Sequence, residues 1–452
     1  MKLKIYHLIP MLLAIANAAP DKFEFDGMRY VGEIVKTFEV GGKGQLTMER
    51  INGDITIEGE ARNDVVIVER FKIDAYSEAS AQRILTEEKA RFQQKGEKIT
   101  VSGSDHSRRY TSDFKIKVPF TFNTIVQTSG GDINLSSVVG TQNLSTSGGD
   151  IEIIEVKGNL NGHTSGGDIT VQRTECNLGI STLGGDIKID NFAGDLRATT
   201  SGGDIGLGKI QGSGQVSTSG GDINIVGLRA KTFTARTSGG DIGADKVESD
   251  LDVNTSGGDI VIGQIEGNVE AHTSGGDIEV RQISQNLKAT TSGGDINIGL
   301  VKGYCYVRTS GGDIEVDRAY DLEAFTSGGD IRANGVVGYL YAHTSGGDID
   351  ARKFYKANVT KNAVDLETSG GNISVQLPAN MPATIDAEIT VTDRQSAEVD
   401  IHSDYPIKKT KDNKGSRVYI YAQGAINNGG DPVRLRTVNG NINIIKSAPE
   451  SK

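Results

Sequence analysis

One aspartate recurs along this chain at nearly constant spacing, and it is the most conspicuous residue with chemistry to offer. It is the fifth residue of Thr-Ser-Gly-Gly-Asp-Ile, which occurs in twelve exact copies and once with Leu for Ser. Successive copies are 18 residues apart, with one step of 19 and one of 17. The thirteen aspartates, called the Asp ladder below, are Asp132, Asp150, Asp168, Asp186, Asp204, Asp222, Asp241, Asp259, Asp277, Asp295, Asp313, Asp330 and Asp348.

A stacked column of carboxylates can do one of two things. It can bind Ca²⁺, which takes about six to eight oxygen ligands, or it can accept hydrogen bonds from turn amides and hydroxyls. The chain lacks the Gly-x-Asp element of calcium-binding nonapeptide repeats. Two later copies carry Asn372 and Asn441 instead, which keep an acceptor oxygen and lose the charge. We therefore predict a structural ladder with no cofactor, and calcium is the alternative.

A second set of candidate residues is aromatic. Four tyrosines, called the tyrosine patch below, occupy two outward positions of the repeat near the end of the array: Tyr304, Tyr306, Tyr339 and Tyr341. Clustered surface tyrosines form contact platforms for sugar rings or for protein. The alternative is that they reflect strand propensity and stacking between neighbouring strands. We take them as the candidate binding patch.

The pattern offers no catalytic constellation. An enzyme needs a unique set of groups in a cleft, whereas this array repeats one set of residues along a wall. His163, His272 and His343 share one outward position but are several repeats apart, so they cannot share a metal. We predict no catalytic, cofactor-binding or metal-binding residues. A carbohydrate-active enzyme on a β-helix remains a less favoured alternative.

The 18-residue period must be built from strands. In the repeat that follows Asp259, apolar residues lie at Ile260, Ile262 and Ile265 and resume at Val269 and Ala271. This period-2 alternation is typical of strands, and fixed-period self-similarity is typical of solenoids. We predict an all-β fold, a parallel β-solenoid wound right-handed. About 14 turns at roughly 4.8 Å each give a rod of about 65–70 Å.

The rest of the chain predicts the domain organisation. Residues 1–18 have a basic start, an apolar run and a small-x-small site, as in a secretory signal peptide. The regions between 18 and 452 are predicted as follows: 19–126, an N-terminal capping region with one helix near 77–94 that Ser77 caps; 127–376, the repeat solenoid; 377–446, a C-terminal solenoid cap; and 447–452, a tail. The glycine pair of each repeat is expected to supply positive φ at a corner.

Net charge and cysteine content further limit the class of protein and its partners. The net charge is −11, which disfavours nucleic acid as a partner. Cys176 and Cys305 are about seven turns, or roughly 34 Å, apart in such a stack, too far for a disulfide. No segment reaches the ~18 apolar residues of a membrane span. We expect an exported protein of the cell surface, extracellular space or periplasm.

The sequence resembles a bacterial family of exported β-solenoid proteins that is catalogued as a domain of unknown function and labelled as adhesins. The resemblance lies in the GGDI repeats and in three segments: "TFEVGGKGQLTMERINGDITIEG" (37–59), "TSGGNISVQLP" (368–378) and "INNGGDPVRLRTVNGNINI" (426–444). It implies a β-solenoid and supplies no catalytic residues. We therefore expect a non-enzymatic adhesin-like protein that binds an unknown protein or glycan at the cell surface or envelope. The alternatives are a periplasmic structural or signalling scaffold and, less favoured, a carbohydrate-active enzyme or calcium-binding repeat protein.

Overall fold

The computed structural model describes residues 22–104, 108–392 and 399–448. The predicted signal peptide, 1–18, and residues 449–452 of the predicted tail lie outside the described residues. The N-terminal elements are β1 (Phe23–Phe25), β2 (Tyr30–Glu39), β3 (Gln45–Ile51), β4 (Ile55–Glu60), β5 (Asp64–Ile73), α1 (Glu78–Glu88), β6 (Arg91–Lys95), β7 (Lys98–Ser102) and β8 (Tyr110–Pro119).

Strands are the only regular secondary structure in the repeat region. They are β9 (Asn123–Thr128), β10 (Ile133–Ser136), β11 (Val139–Ser145), β12 (Ile151–Ile154), β13 (Lys157–His163), β14 (Ile169–Ser181), β15 (Ile187–Ala193), β16 (Leu196–Thr199), β17 (Ile205–Gln211), β18 (Gly214–Ser217), β19 (Ile223–Arg236), β20 (Ile242–Asn254), β21 (Ile260–Ile265), β22 (Val269–His272), β23 (Ile278–Ile283), β24 (Leu287–Thr290), β25 (Ile296–Arg308), β26 (Ile314–Phe325), β27 (Ile331–Val336), β28 (Leu340–Thr344), β29 (Ile349–Lys353), β30 (Val364–Thr368) and β31 (Ile373–Pro378). The C-terminal strands are β32 (Ala383–Val391), β33 (Ile401–Ser403), β34 (Lys408–Lys414), β35 (Arg417–Ile426), β36 (Asp431–Val438) and β37 (Ile442–Ser447).

Each 18-residue repeat forms one coil, and its strands pair in parallel with the same strands of the next coil. Ile133 pairs with Ile151, and Ile151 pairs with Ile169. On the second wall of the coil, Leu160 pairs with Leu178. Equivalent positions therefore form columns along the rod, which confirms the predicted all-β parallel solenoid. The handedness of its winding stays a prediction.

The core is a stack of aliphatic columns enclosed by the coils. In one coil, Ile260, Ile262, Ile265, Val269 and Ala271 are each at most 3% exposed. The same columns continue through neighbouring coils in one hydrophobic cluster. Because each coil buries much of its apolar surface against the coils beside it, stability depends on the stack.

The predicted helix near 77–94 is shorter than expected. α1 begins after Ser77, whose side chain accepts a hydrogen bond from the Ser80 amide, and ends at Glu88. Residues 89–94 were wrongly included, since the chain leaves the helix after Glu88 and enters β6, which pairs antiparallel with β7. Gly96, at φ +62°, makes the turn between these two strands. The hairpin satisfies the backbone groups of this segment and outweighs its helix propensity.

The stacked columns continue on both sides of residues 127–376. Ile55 pairs with Ile133 at the N-terminal side, and Ile442 pairs with Ile373 at the C-terminal side. Antiparallel strands flank them, with β5 between β2 and β8, and β35 between β32 and β34. The exact boundaries of the capping regions stay a prediction.

The glycine pair of each repeat is required for a different reason from the expected one. Neither Gly275 nor Gly276 has a positive φ. A Cβ on Gly276 would lie 2.1 Å from the Gly258 carbonyl oxygen of the preceding coil, whereas on Gly275 its nearest neighbour would be 3.5 Å away. The second glycine therefore permits close approach of successive coils, and the expectation of positive φ at this corner was wrong. Positive-φ glycines such as Gly158 and Gly194 lie at another corner.

The two cysteines are free and buried. Cys305 takes the place of Leu287 in an inward column and is 0% exposed. Burial raises the pKa of the Cys176 thiol to about 12. Among the described residues, no helix has the length and apolar character needed to cross a membrane.

Candidate functional site

The structure places the thirteen aspartates of the Asp ladder in one column on an exposed edge of the rod. In each coil the carboxylate Oδ1 accepts the backbone N–H of the equivalent residue in the next coil, at 2.7–2.8 Å. The Asp259 carboxylate, for example, accepts from Asp277 N. Each aspartate thus satisfies an amide that the glycine turn leaves unpaired in the ladder of strands.

The column is longer than the thirteen motif copies indicate. Asp54 N donates to Asp113, and Asp132 N donates to Asp54. At the other end Asn372, Asn441 and Asp400 continue the chain of bonds. The NGDI and NGNI segments gave a sequence signal for Asp54 and Asn441. Asp113 and Asp400 have no such motif, so sequence reasoning missed them.

Hydrogen bonding offsets the repulsion that stacked carboxylates create. Neighbouring charges about 5 Å apart repel by about 1 kcal/mol in water, and a hydrogen bond to a charged group contributes about 1.5–3 kcal/mol. Asn372 and Asn441 use the same geometry without a charge. Within the described residues, no three His, Cys, Asp or Glu side chains are arranged to hold a metal ion.

The motif threonine ties the same turn together from inside. In thirteen successive coils its hydroxyl donates to the second motif glycine of the preceding coil, at 2.8–2.9 Å. The same oxygen accepts from a glycine amide of its own coil, as Thr273 does from Gly276. These threonines are buried, so the Thr-Ser-Gly-Gly-Asp motif is a hydrogen-bonded joint between coils.

The tyrosine patch lies on a different face from the Asp ladder. Tyr304 and Tyr306 belong to one coil, and Tyr339 and Tyr341 lie two coils further on. The coil between them presents acidic residues in the same columns, since Asp321 pairs with Tyr304 and Glu323 pairs with both Tyr306 and Tyr341.

One further ring joins the two pairs of tyrosines. The Phe325 ring centroid lies 5.6 Å from that of Tyr306 and 5.2 Å from that of Tyr341. These distances are typical of favourable aromatic pairs. The structure therefore brings together three rings on adjacent coils, tilted by 43° and 46° to one another, with Tyr304 and Tyr339 in the neighbouring column.

Burial and acidic neighbours act on the phenols of the patch. Partial burial, followed by a hydrogen bond to Glu323, raises the pKa of Tyr304 well above its ordinary value. Burial raises the pKa of Tyr341 too, with the Glu367 carboxylate adding to the effect. The Tyr304 and Tyr341 phenols therefore stay protonated and able to donate hydrogen bonds, and the Tyr304 side chain is 38% exposed.

A shallow trough runs from the tyrosine patch along the same face of the rod. Its volume is about 640 Å³, and Tyr304 and Tyr306 line its C-terminal end. One wall is the column that precedes a buried residue of the second wall of the coil: Thr232, Asp250, Asn268, Asn286 and Tyr304. The other wall is the column two residues later: Thr234, Asp252, Glu270, Lys288 and Tyr306.

A second section of the trough lies on the preceding coils in the same columns. Its volume is about 680 Å³. Its walls are Asn159, Asn177, Asp195 and Ser213 on one side and Asn161, Gly179, Arg197 and Gln215 on the other. Gln215 pairs with Thr234, so the two sections meet end to end. Together they are called the axial trough. Sequence reasoning missed the continuity of this face, because its residue types change from coil to coil.

Amide ladders hold the wall of the trough in place. Asn268 donates from its backbone and side-chain nitrogens to Asp250 Oδ1 at 2.8 and 3.0 Å. Tyr304 N donates to Asn286 Oδ1 at 2.9 Å. The geometry repeats that of the Asp ladder at the opposite turn, so the backbone of the trough is rigid.

A buried lysine marks the point where the 18-residue repeat is interrupted. Lys353 is 0% exposed in an inward column that holds Val301, Ala319 and Val336 in the preceding coils, and it pairs with Val336. Its ammonium donates to the carbonyl oxygens of Val336, Val337 and Phe354. Burial lowers the pKa of Lys353 to about 7, although Asp321 and Asp431 act in the opposite direction.

The fold and the repeated joint define a repeat protein of the β-solenoid class. The family model described as Toastrack DUF4097 matches residues 52–217, 213–328 and 303–445. Because these matches span most of the chain, the protein belongs to the Toastrack DUF4097 family. No curated protein sequence matches it.

Three solved structures are similar to this chain. A "putative cell adhesion protein" from Clostridium sporogenes is 8% identical, with 92% of this chain and 100% of that chain covered and a TM-score of 0.15. A "putative adhesin" from Bacteroides fragilis is 17% identical, with 61% and 96% covered and a TM-score of 0.22. A "putative lipid binding protein" from Parabacteroides distasonis is 13% identical, with 76% and 96% covered and a TM-score of 0.15.

Proposed function

We propose that this protein is a non-enzymatic, exported, adhesin-like binding protein of the bacterial cell surface or envelope, and that it binds through the axial trough and the tyrosine patch. The observation that carries the proposal is the continuity of this face. Its walls repeat from Asn159 to Tyr306 without interruption, and the aromatic cluster follows at once. A rigid face of this kind multiplies weak contacts into avidity.

The chemistry of the face supports binding over catalysis. Its side chains are amides, hydroxyls, phenols and carboxylates that recur coil after coil, and they do not converge on one reacting atom. The partly exposed rings of Tyr304 and Tyr306 offer contact area at small entropic cost. The partner is a protein or glycan at the cell surface or envelope.

The test is adhesion of living cells. A strain lacking the gene would be complemented with the natural gene, with Tyr306→Ser/Tyr341→Ser, or with Tyr76→Ser. Tyr76 is a fully exposed tyrosine outside the trough and serves as the matched control. Retention under flow would be measured on surfaces coated with envelope extract or matrix glycoprotein.

We expect the natural gene and the Tyr76 variant to restore retention and the patch variant to fail, with equal amounts of each protein in the envelope. Equal retention of the deletion strain and the strain with the natural gene would overturn the proposed function.

A further inference from the structure

The axial trough presents the same pair of positions once in every coil. From Asn159 to Tyr304, nine stacked residues form one wall, spaced by the distance between strands. The stacking distance is about 4.8 Å, comparable with the length of one sugar in an extended chain. A small ligand would need only one or two coils, whereas this face repeats the contact along the rod. A binding face that repeats along one axis suits a ligand whose units also repeat along one axis.

The side chains of the trough offer hydrogen bonds in both directions. Asn and Gln donate and accept, and hydroxyls do the same. Asn161, Asn268 and Asn286 all face the trough with amide groups. The rings of Tyr304 and Tyr306 lie at one end, where an apolar sugar face can pack on them. Amides with aromatic rings are the combination that recognises hydroxylated rings.

The trough has more acidic than basic side chains, and ion pairs neutralise part of this excess. Lys288 Nζ lies 2.6 Å from Glu270 Oε1, and Arg236 lies 2.8 Å from the Asp252 carboxylate. The N-terminal section of the trough contains one acidic residue, Asp195, and one basic residue, Arg197. Asp250 Oδ1 accepts a hydrogen bond from the Asn268 amide. The trough therefore has no excess positive charge with which to attract a polyanion, and its amides, hydroxyls and aromatic rings favour an uncharged, hydroxyl-rich chain.

We infer that the axial trough binds a single linear, neutral polysaccharide, which lies extended along the rod with one end on Tyr304 and Tyr306. This inference rests on the proposed function, since it names the ligand class of the same face. Each added sugar contacts a further coil, so affinity grows with chain length. Amide and hydroxyl groups of the walls bond the sugar hydroxyls, and the tyrosine rings fix the end of the chain.

The experiment is calorimetric titration of the protein as it is exported, without the predicted signal peptide, with defined neutral oligosaccharides from the dimer to the octamer. The probes are β-glucan, mannan, xylan and chitin oligomers, with polygalacturonate oligomers as the charged comparison. We expect at least one neutral series to bind with affinity that rises with length. Tyr306→Ala should weaken that binding about tenfold, which is about 1.4 kcal/mol. Tyr76→Ala should leave it unchanged.

Three results would overturn the inference: no binding by any neutral series, affinity independent of length, or equal or tighter binding of polygalacturonate. If cell adhesion still depends on Tyr306 and Tyr341 in that case, the proposed function stands with a different ligand: a charged glycan if polygalacturonate binds, and a protein if no oligosaccharide binds. If adhesion shows no dependence on the gene, the proposed function itself fails.

Discussion

At the scale of single residues, each aspartate of the ladder balances two effects. Its carboxylate is repelled by the carboxylates of the coils above and below, and it accepts an amide hydrogen bond that nothing else in the turn supplies. Asn372 and Asn441 separate these effects, since they keep the bond and lose the repulsion. The same substitution in the middle of the column should therefore be informative.

Asp259→Asn is expected to leave stability equal or raise it by up to about 1 kcal/mol, because the acceptor remains and two repulsive contacts disappear. Any gain should shrink as salt screens the column. Asp259→Ala should cost about 1–2 kcal/mol, because Asp277 N loses its partner. Thermal unfolding at low and high salt measures both. A large loss with Asn that chelator reproduces in the natural protein would contradict the hydrogen-bond account and indicate calcium.

Lys353 makes stability depend on pH. Its pKa falls to about 7 in the folded protein, against about 10.4 when unfolded. The unfolded chain therefore binds more protons between these values, so stability rises with pH from about 7 to about 10 and is lower below that window. The melting temperature of the natural protein should rise more steeply between pH 7 and 9 than that of Lys353→Met. Lys188→Met, at an exposed position, should keep the natural slope; equal slopes for all three would contradict this account.

At the scale of elements, the turn between coils depends on how closely two backbones approach. Thr273 bonds Gly258 of the preceding coil and Gly276 of its own. These contacts leave no room for a side chain on the second glycine. A Cβ on the first glycine, Gly275, would make only ordinary van der Waals contacts, the nearest at 3.5 Å.

Gly276→Ala should destabilise the protein by about 3 kcal/mol, because its Cβ would overlap the Gly258 carbonyl and force the coils apart. Gly275→Ala should change stability by at most about 0.5 kcal/mol. Chemical denaturation of the two variants compares them directly. Equal effects would show that the glycine pair serves backbone flexibility and not close approach.

At the scale of the whole molecule, the sequence predicted the architecture well because one short pattern is repeated so often. The period, the inward columns and the free cysteines all follow from positions such as Ile260 and Cys305. The end of α1 did not follow, because pairing of β6 with β7 decides it. The axial trough did not follow either, since residues such as Asn268 and Tyr304 join one wall only after coils stack.

The proposed function also constrains where the whole molecule must be located. A surface-binding protein must present the axial trough to the outside of an intact cell. Thr232 is an exposed wall residue of the trough, and Thr232→Cys would place one reactive thiol there. The native thiols are silent, because Cys176 and Cys305 are buried and burial raises the pKa of Cys176 to about 12.

The most direct measurement is labelling of intact cells that carry Thr232→Cys with a membrane-impermeant maleimide, with the natural protein as the blank. The account predicts strong labelling of the variant on intact cells and none of the natural protein. Labelling that appears only after the envelope is permeabilised would contradict a surface binding role and would favour a periplasmic scaffold.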